Sequence, residues 1–514
     1  MPFTHRTNTL TLKRFCLKII IASFILLGVS TLSAFAQQPG TITVIDSNPY
    51  ALHGMLVTDQ NLPIIAYDGS KVAFCKNVTC TNKKKMDFYN PNSIYGVLIE
   101  AMVLKGGNLP VILYSDYPNS GIIICHDPLC NNFSNTRLDL HDKGYEIYKA
   151  DVTLTPGGWP VIVFYEIDHH KLFLARCNDA LCKTPLTYRA VASPTTHTFD
   201  VEVVLSKTGN PITLFQESSG QDFVQLVTCE DPNCTTRVQT KIQQVDVMPY
   251  QVEMQLNSQG LPVLSYIVAY DQSTTPDTRD ALRVVICENI YCTQKTGVYI
   301  NAGKDKGLEL SMALGPGDRP MISYDTGYTK QDIMLMACLD APCSQTTTTL
   351  IDDYDETDDN VLGLDNNGLP IVAYQENLNN EVKLYTSNVA QGNVMLDYNT
   401  ARPGSILTLT GTKLPTNSSA IVSINGVGLG QALTTNNQGT GVVHLDTSQA
   451  DPGFYTLKIQ MDNGFGGQLV RQTTLHIDPK APLHISTNTG SLITIPAGIA
   501  RPPQFVYVPY ISRN

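Results

Sequence analysis

The apolar positions of this chain recur in short runs, not at helical spacing. One run repeats seven times. A Gly or Asn turn residue leads to a proline, and a nearly all-apolar stretch follows, with Tyr or Phe at its fifth position. The prolines are Pro63, Pro110, Pro160, Pro211, Pro262, Pro320 and Pro370, and successive steps are 47, 50, 51, 51, 58 and 50 residues. Proline lacks an N–H, so it belongs at the opening of a strand. A strand apolar at consecutive positions is buried on both faces. Six residues before each proline stands Val57, Leu104, Leu154, Leu205, Leu256, Leu314 or Leu364, the expected end of a preceding strand. A third strand, such as Gly121-Ile-Ile-Ile-Cys125, runs into a cysteine, and a second cysteine five residues on is expected to start a fourth.

Four strands per unit, a period near 50 and burial on both faces describe a β-propeller, and seven copies describe seven blades. A linear solenoid would also bury both faces, but it needs capping ends, and none is visible. The seventh unit has a third strand, 381–388, and then departs from the pattern without a cysteine pair. Thr41–Asp46 alternates like the other fourth strands, so it is expected to complete the seventh blade and close the ring. The Gly-x-Pro-[Ile/Val]-[Ile/Val/Leu]-x-[Tyr/Phe] core and the cysteine turns resemble those of seven-bladed, repeat-built propellers of secreted bacterial proteins, over residues 41–390. WD40 and kelch signatures are absent.

After residue 391 the rhythm stops. Segments 401–411, 420–426, 441–445, 453–459 and 469–477 alternate with period two between turn residues, which predicts a β-sandwich. It resembles the Ig-like modules of exported bacterial proteins, although it has no cysteine. The expected organisation is 1–36 leader, 37–390 propeller, 391–479 Ig-like sandwich and 480–514 tail. Within the tail, Leu492–Ile495 and Phe505–Ile511 are apolar, and the latter is too short to span a bilayer.

Composition sharpens this picture at three points. Arg6, Lys13, Arg14 and Lys18 precede an apolar run and an Ala-Phe-Ala site, which reads as a cleaved signal peptide with a mature start at Gln37. Its loss removes four basic and no acidic residues, taking the net charge from −11 to −15. That acidity excludes nucleic acid and anionic membrane surfaces as partners, and no later run is long enough to cross a membrane. Twelve of the 13 cysteines form six pairs separated by four residues: Cys75/Cys80, Cys125/Cys130, Cys177/Cys182, Cys229/Cys234, Cys287/Cys292 and Cys338/Cys343. With an export signal, the even count means local disulfides, not a metal site.

Candidate chemistry is acidic. Near the innermost strands stand Glu100, Asp151, Glu202, Glu253 and Glu309. Just after the second strands come Asp68, Asp116, Glu166, Glu217, Asp325 and Glu376, with Asp271 displaced. The propeller resemblance implies ligand sites on the face formed by the loops after the second and fourth strands, or in the central channel, and both sets map there. Such carboxylates either bind cations or basic groups, or merely hydrogen-bond neighbouring loops. Two singular spots break the repeat. Asp168-His169-His170 could bind a ligand. Asp353, Asp355, Thr357 and Asp359 alternate as in a Ca²⁺ loop, but Asp358 stands where such a loop has Gly and no terminal Glu follows, so the alternative is a solvated acidic loop. No motif calls for a cofactor; Ca²⁺ is the one ion these oxygen sets could hold.

Enzyme signatures are lacking. There is no sialidase Asp box, no Gly-x-Ser-x-Gly elbow and no His-Glu-x-x-His. The single Trp159 weakens a sugar-stacking reading, although 24 tyrosines could substitute. The expectation is an exported, non-enzymatic binding or adhesion protein with an extracellular protein or glycan ligand. A secreted hydrolase or lyase using an acidic channel is the alternative, as is a structural surface or matrix component. A closed acidic pocket made of different residues in different blades would favour the enzyme.

Overall fold

The computed structural model describes residues 40–500, except 48, 50, 91–95, 117–118, 139–146, 185, 195–197, 199, 218–221, 246–250, 269–280, 301–308, 327–331, 354–356, 388–391, 464, 466–467 and 487–491. The leader, Asp271, Asp355 and the apolar run 505–511 lie outside the described residues.

All helical or strand structure among the described residues is β. Between residues 40 and 387 it forms seven four-stranded antiparallel sheets. Six of them use consecutive strands, as in the third sheet: Ile147–Leu154, Pro160–Glu166, Lys171–Arg176 and Thr187–Ala192. In the seventh sheet, Gly40–Ser47 pairs with Glu381–Ser387, which pairs with Pro370–Glu376 and then Thr357–Leu364. The register sets Thr41 opposite Thr386 and Val44 opposite Lys383, with a bulge before Asp46.

The second strands explain the packing. Pro160–Glu166, Pro211–Glu217 and Pro370–Glu376 are buried at every position, because each sheet is covered on both faces by its neighbours. Ile212 and Leu214 of the fourth sheet meet Val252, Leu264 and Tyr266 of the fifth in one apolar layer. Ile65 and Tyr67 of the first sheet share such a layer with Ile371 and Leu384 of the seventh. The core is therefore a series of layers between sheets, each fully buried side chain contributing roughly 1.5–3 kcal/mol. The first strand of every sheet touches that of the next, and the seventh touches the first. The arrangement is a closed, propeller-type ring.

All six expected cysteine pairs are disulfides: Cys75–Cys80, Cys125–Cys130, Cys177–Cys182, Cys229–Cys234, Cys287–Cys292 and Cys338–Cys343, with Cα–Cα separations of 4.7 to 4.9 Å. One expectation about them fails. The second cysteine of a pair does not start the fourth strand. Cys80, Cys130, Cys182, Cys234, Cys292 and Cys343 all lie outside strands, and the strands that follow them open later, at Lys83, Phe133, Thr187, Arg237, Lys295 and Thr346. Each of the six sits instead in a turn, in the left-handed region, with φ of 53° at Cys80, 52° at Cys130, Cys182 and Cys292, 54° at Cys234 and 56° at Cys343.

The physical reason is the third residue of each motif, always Asn or Asp: Asn77, Asp127, Asp179, Asp231, Asn289 and Asp340. The carbonyl of that residue accepts the N–H of the second cysteine in every pair, from Cys80 to Asn77 through Cys343 to Asp340. Its side chain binds the turn as well. Asp127 Oδ1 accepts from the N–H groups of Leu129 and Asn131, and Oδ2 from Asn132, an Asx turn that curls the chain back before the strand can begin. The hydroxyl and N–H of Thr184 hold Asp179 down to about 2 in the same way.

Residues 393–494 build a second body of sheets, one four-stranded and one five-stranded. Leu407 and Leu409 of one sheet and Val422, Ile424, Leu457 and Ile459 of the other fill a common interior. Residues beyond 480 join it: Leu492–Thr494 adds a parallel strand beside Gly441–Asp446.

Candidate functional site

At the centre of the ring a cavity of about 560 Å³ is lined by the beginnings of the first strands. One register position, opposite the third residue after each proline, shows how the ring is differentiated. Successive sheets place Gly54, Ala101, Asp151, Glu202, Glu253, Ser311 and Val361 there. Three consecutive sheets thus supply carboxyl groups, while the first, second and seventh supply small or apolar ones. The five acids expected near the inner strands do line this cavity, but they are not one repeated set. Glu309 precedes its strand, and Glu100 is the extra residue of a β-bulge between Ile99 and Ala101.

Bulges place two further groups. His53 lies in the bulge between Leu52 and Gly54, and Asp359 in that between Asp358 and Asn360. A bulge turns its extra side chain out of the two-residue alternation, here toward the axis. Asp359 therefore belongs to a strand lining the channel, not to a calcium-type loop, while Asp353 is exposed beyond the end of Thr346–Asp352. Asp200 and Lys149 complete the charged wall. Neither these two nor His53 was singled out by the sequence reading. Among the described residues, no group of three or more His, Cys, Asp or Glu is arranged to hold a metal ion.

Several acids also tie sheets together. Asp151 Oδ2 accepts the N–H of Val203 at 2.7 Å, and Asp200 Oδ2 that of Val252 at 3.0 Å. Gln251 Oε1 accepts from Leu310 at 2.6 Å, and Asp359 Oδ2 from Leu52 at 3.3 Å, the last across the ring closure. Ser115 Oγ donates to Glu100 at 2.6 Å.

Neighbouring protein half-buries the carboxyl groups of the channel wall. Burial therefore raises the carboxyl groups: Glu100 to about 7, Asp200 to about 6, Asp151 to about 7 and Glu253 to about 8. Glu202 is raised well above its ordinary value, first by burial and then by the charges of Asp151, Glu253 and Asp200. A hydrogen bond between Glu202 and Asp151 adds to the rise of Glu202. Burial and the nearby Lys149 lower His53 to about 4, and its Nε2 accepts the Gly69 N–H at 2.8 Å.

The other sequence candidates lie elsewhere. Glu166 is fully buried and accepts the N–H groups of Asp168 and His169, both at 2.9 Å, and His169 Nδ1 at 3.0 Å. His170 Nδ1 meets the Tyr165 hydroxyl at 2.7 Å. The Asp168–His170 turn is thus bonded within its own hairpin and does not line the channel cavity. Glu376 caps its hairpin likewise through Asn379, and Asp68 pairs with Lys71 at 2.6 Å.

No protein-family model and no curated protein matches the sequence. Several solved structures are similar at low identity. One is a catalytically inactive virginiamycin B lyase from Staphylococcus aureus with quinupristin, at 12% identity and TM-score 0.44, covering 68% of this chain and 99% of that one. Drosophila semaphorin 1a, extracellular domains 1–2, matches at 8% and 0.44, over 68% and 88%. The GH93 α-L-arabinofuranosidase of Fusarium graminearum matches at 11% and 0.42, over 59% and 95%. These values support no inference about activity, and the fold stands on the sheets described above.

Proposed function

We propose that the chain is an exported seven-bladed β-propeller, residues 37–390, carrying an Ig-like sandwich from 391, and that it is an extracellular binding protein. Its ring presents the acidic cavity to a cationic group of a protein or glycan ligand. One observation carries this reading. Asp151, Glu202 and Glu253 stand at one register in three successive sheets, beside Asp200, with Lys149 the one ammonium among the described residues that line the cavity. Six disulfides agree with an oxidising compartment. Carboxyl groups that hold protons near neutral pH release them when a cation docks.

Calorimetry of the mature protein with spermidine and with an oligolysine peptide, in two buffers of different ionisation heat, tests this. Binding should weaken with salt, release protons, and be lost in Asp151→Asn/Glu202→Gln. No binding to either probe, or binding untouched by the double substitution, would remove the proposal.

A pocket built from different residues in different sheets is also what an enzyme needs. The neighbouring carboxyl groups of Asp151 and Glu202 support a hydrolase or lyase as the second reading, one acting as acid and its partner as base. Turnover of a nitrophenyl glycoside panel, abolished by Glu202→Gln, would favour it over the binder.

A further inference from the structure

A second cavity, of about 460 Å³, lies between the first and second sheets, away from the channel wall. Its size falls in the range of small-molecule pockets. Four aromatic rings line it: Phe88, Tyr89, Tyr114 and Phe133. Tyr89 is 62% exposed and Phe133 40%, so neither ring is spent on the core. Phe88 and Phe133 brace each other edge to face at 5.6 Å. Tyr114 crosses its hairpin over Gly121, where a Cβ would overlap the ring.

Planar polar groups share the same walls. Asp116 is only 6% exposed; its Oδ2 accepts from Asn90 Nδ2 at 2.7 Å, while its Oδ1 has no hydrogen-bond partner among the described residues. A buried carboxylate oxygen without a donor is costly unless something else supplies one. Asn135 accepts the Tyr114 hydroxyl at 2.8 Å, which turns its amide N–H groups toward other acceptors. The pocket thus offers aromatic faces, an acceptor lacking a donor, and amide donors.

We propose that this pocket binds a neutral mono- or disaccharide. A sugar ring has an apolar C–H face and a rim of hydroxyls that both donate and accept. Tyr89 and Phe133 would take the face, a hydroxyl would donate to the Asp116 carboxylate once its side chain turns Oδ1 into the pocket, and another would accept from Asn135. A simple cation would satisfy Asp116 and leave the amide donors idle. Trp159, the residue type most used for sugar stacking, lies in the turn joining the first and second strands of the third sheet and takes no part. The site is separate from the channel, so the two readings fail independently.

Saturation-transfer NMR on the full mature chain tests the proposal. The probes are the methyl glycosides of glucose, galactose, mannose and N-acetylglucosamine, with cellobiose, maltose and lactose, and tetramethylammonium as the cation. At least one sugar should bind. Tyr89→Ala, a surface change that leaves the melting temperature unaltered, should weaken it about tenfold, and Asp116→Asn should do the same. Asp151→Asn/Glu202→Gln should leave it unchanged. Absence of binding by every sugar, binding that survives Tyr89→Ala, or binding of tetramethylammonium in place of sugars would overturn the assignment.

Discussion

Glu253 shows how a single side chain in the channel sets a condition for the whole ring. Burial lifts it to about 8, against about 4.5 in an unfolded chain. A raised carboxyl favours the folded state while it is protonated, so its contribution is full below about pH 4 and is lost as pH climbs through about 8. Glu253→Gln removes the ionisation and keeps the shape. It should leave the melting temperature nearly unchanged at pH 4 and raise it at pH 8, by on the order of 1–2 kcal/mol of stability after allowing for channel water. Differential scanning calorimetry across that range reads the effect directly; a constant offset at all pH values would mean that ionisation is not involved. The carboxyl groups at 151, 202 and 253 were legible in the sequence because they keep a fixed distance from their prolines. His53 was not, and Asp359 was read into the wrong element, because a bulge adds one residue and breaks the alternation from which a strand's faces are inferred.

At the level of the strand and turn, the cysteine pairs do less alone than their number suggests. Each closes a loop of a few residues, worth at most about 2 kcal/mol in chain entropy. The Asx turn already bends that loop, and it holds the second cysteine in the left-handed region, which costs a non-glycine residue about 1 kcal/mol or more. Cys125→Ala/Cys130→Ala should therefore lower stability by no more than about 2 kcal/mol. Cys125→Ala/Cys130→Gly should recover about 1 kcal/mol of that, since glycine accepts the φ of 52° without strain. Denaturant midpoints of the two variants give the comparison, and equal midpoints would mean that the turn relaxes once the bridge is gone. The sequence shows the pairs plainly. The turns that end at Cys80, Cys130, Cys182, Cys234, Cys292 and Cys343 were misread as strand starts, because the Asn or Asp between the cysteines acts through its side chain, which hydrophobic alternation does not register.

For the molecule as a whole, stability hangs on the joint between the two ends of the ring. Lys85 of the first sheet pairs with Asp46 of the seventh at 2.7 Å, Lys83 donates to the Val44 carbonyl, and the Asn366 N–H reaches Asn61 Oδ1 at 2.8 Å. These contacts are exposed and individually small. The apolar layer joining Ile65 and Tyr67 to Ile371 and Leu384 carries more. Deleting residues 37–47 strips the outer strand from the seventh sheet and uncovers Ile45's place in that layer. The truncated chain should melt well below the intact one and be cut faster by protease, far beyond what loss of a terminal tail costs. An unchanged melting curve would show that the joint is not what holds the ring.

The register of that joint also decides how the protein answers force. Gly40 stands directly opposite Ser387, at the end where one strand begins and its antiparallel partner ends. The chain thus enters the ring and leaves it at adjacent points. A load applied between an anchor before residue 40 and the sheets that follow residue 392 peels this ladder one pair at a time instead of shearing every hydrogen bond together. Peeling needs little force, and it begins where the circle was sealed. Tethered by its two ends, the ring should behave as a clasp, opened by a gentle pull from the side where it was sealed.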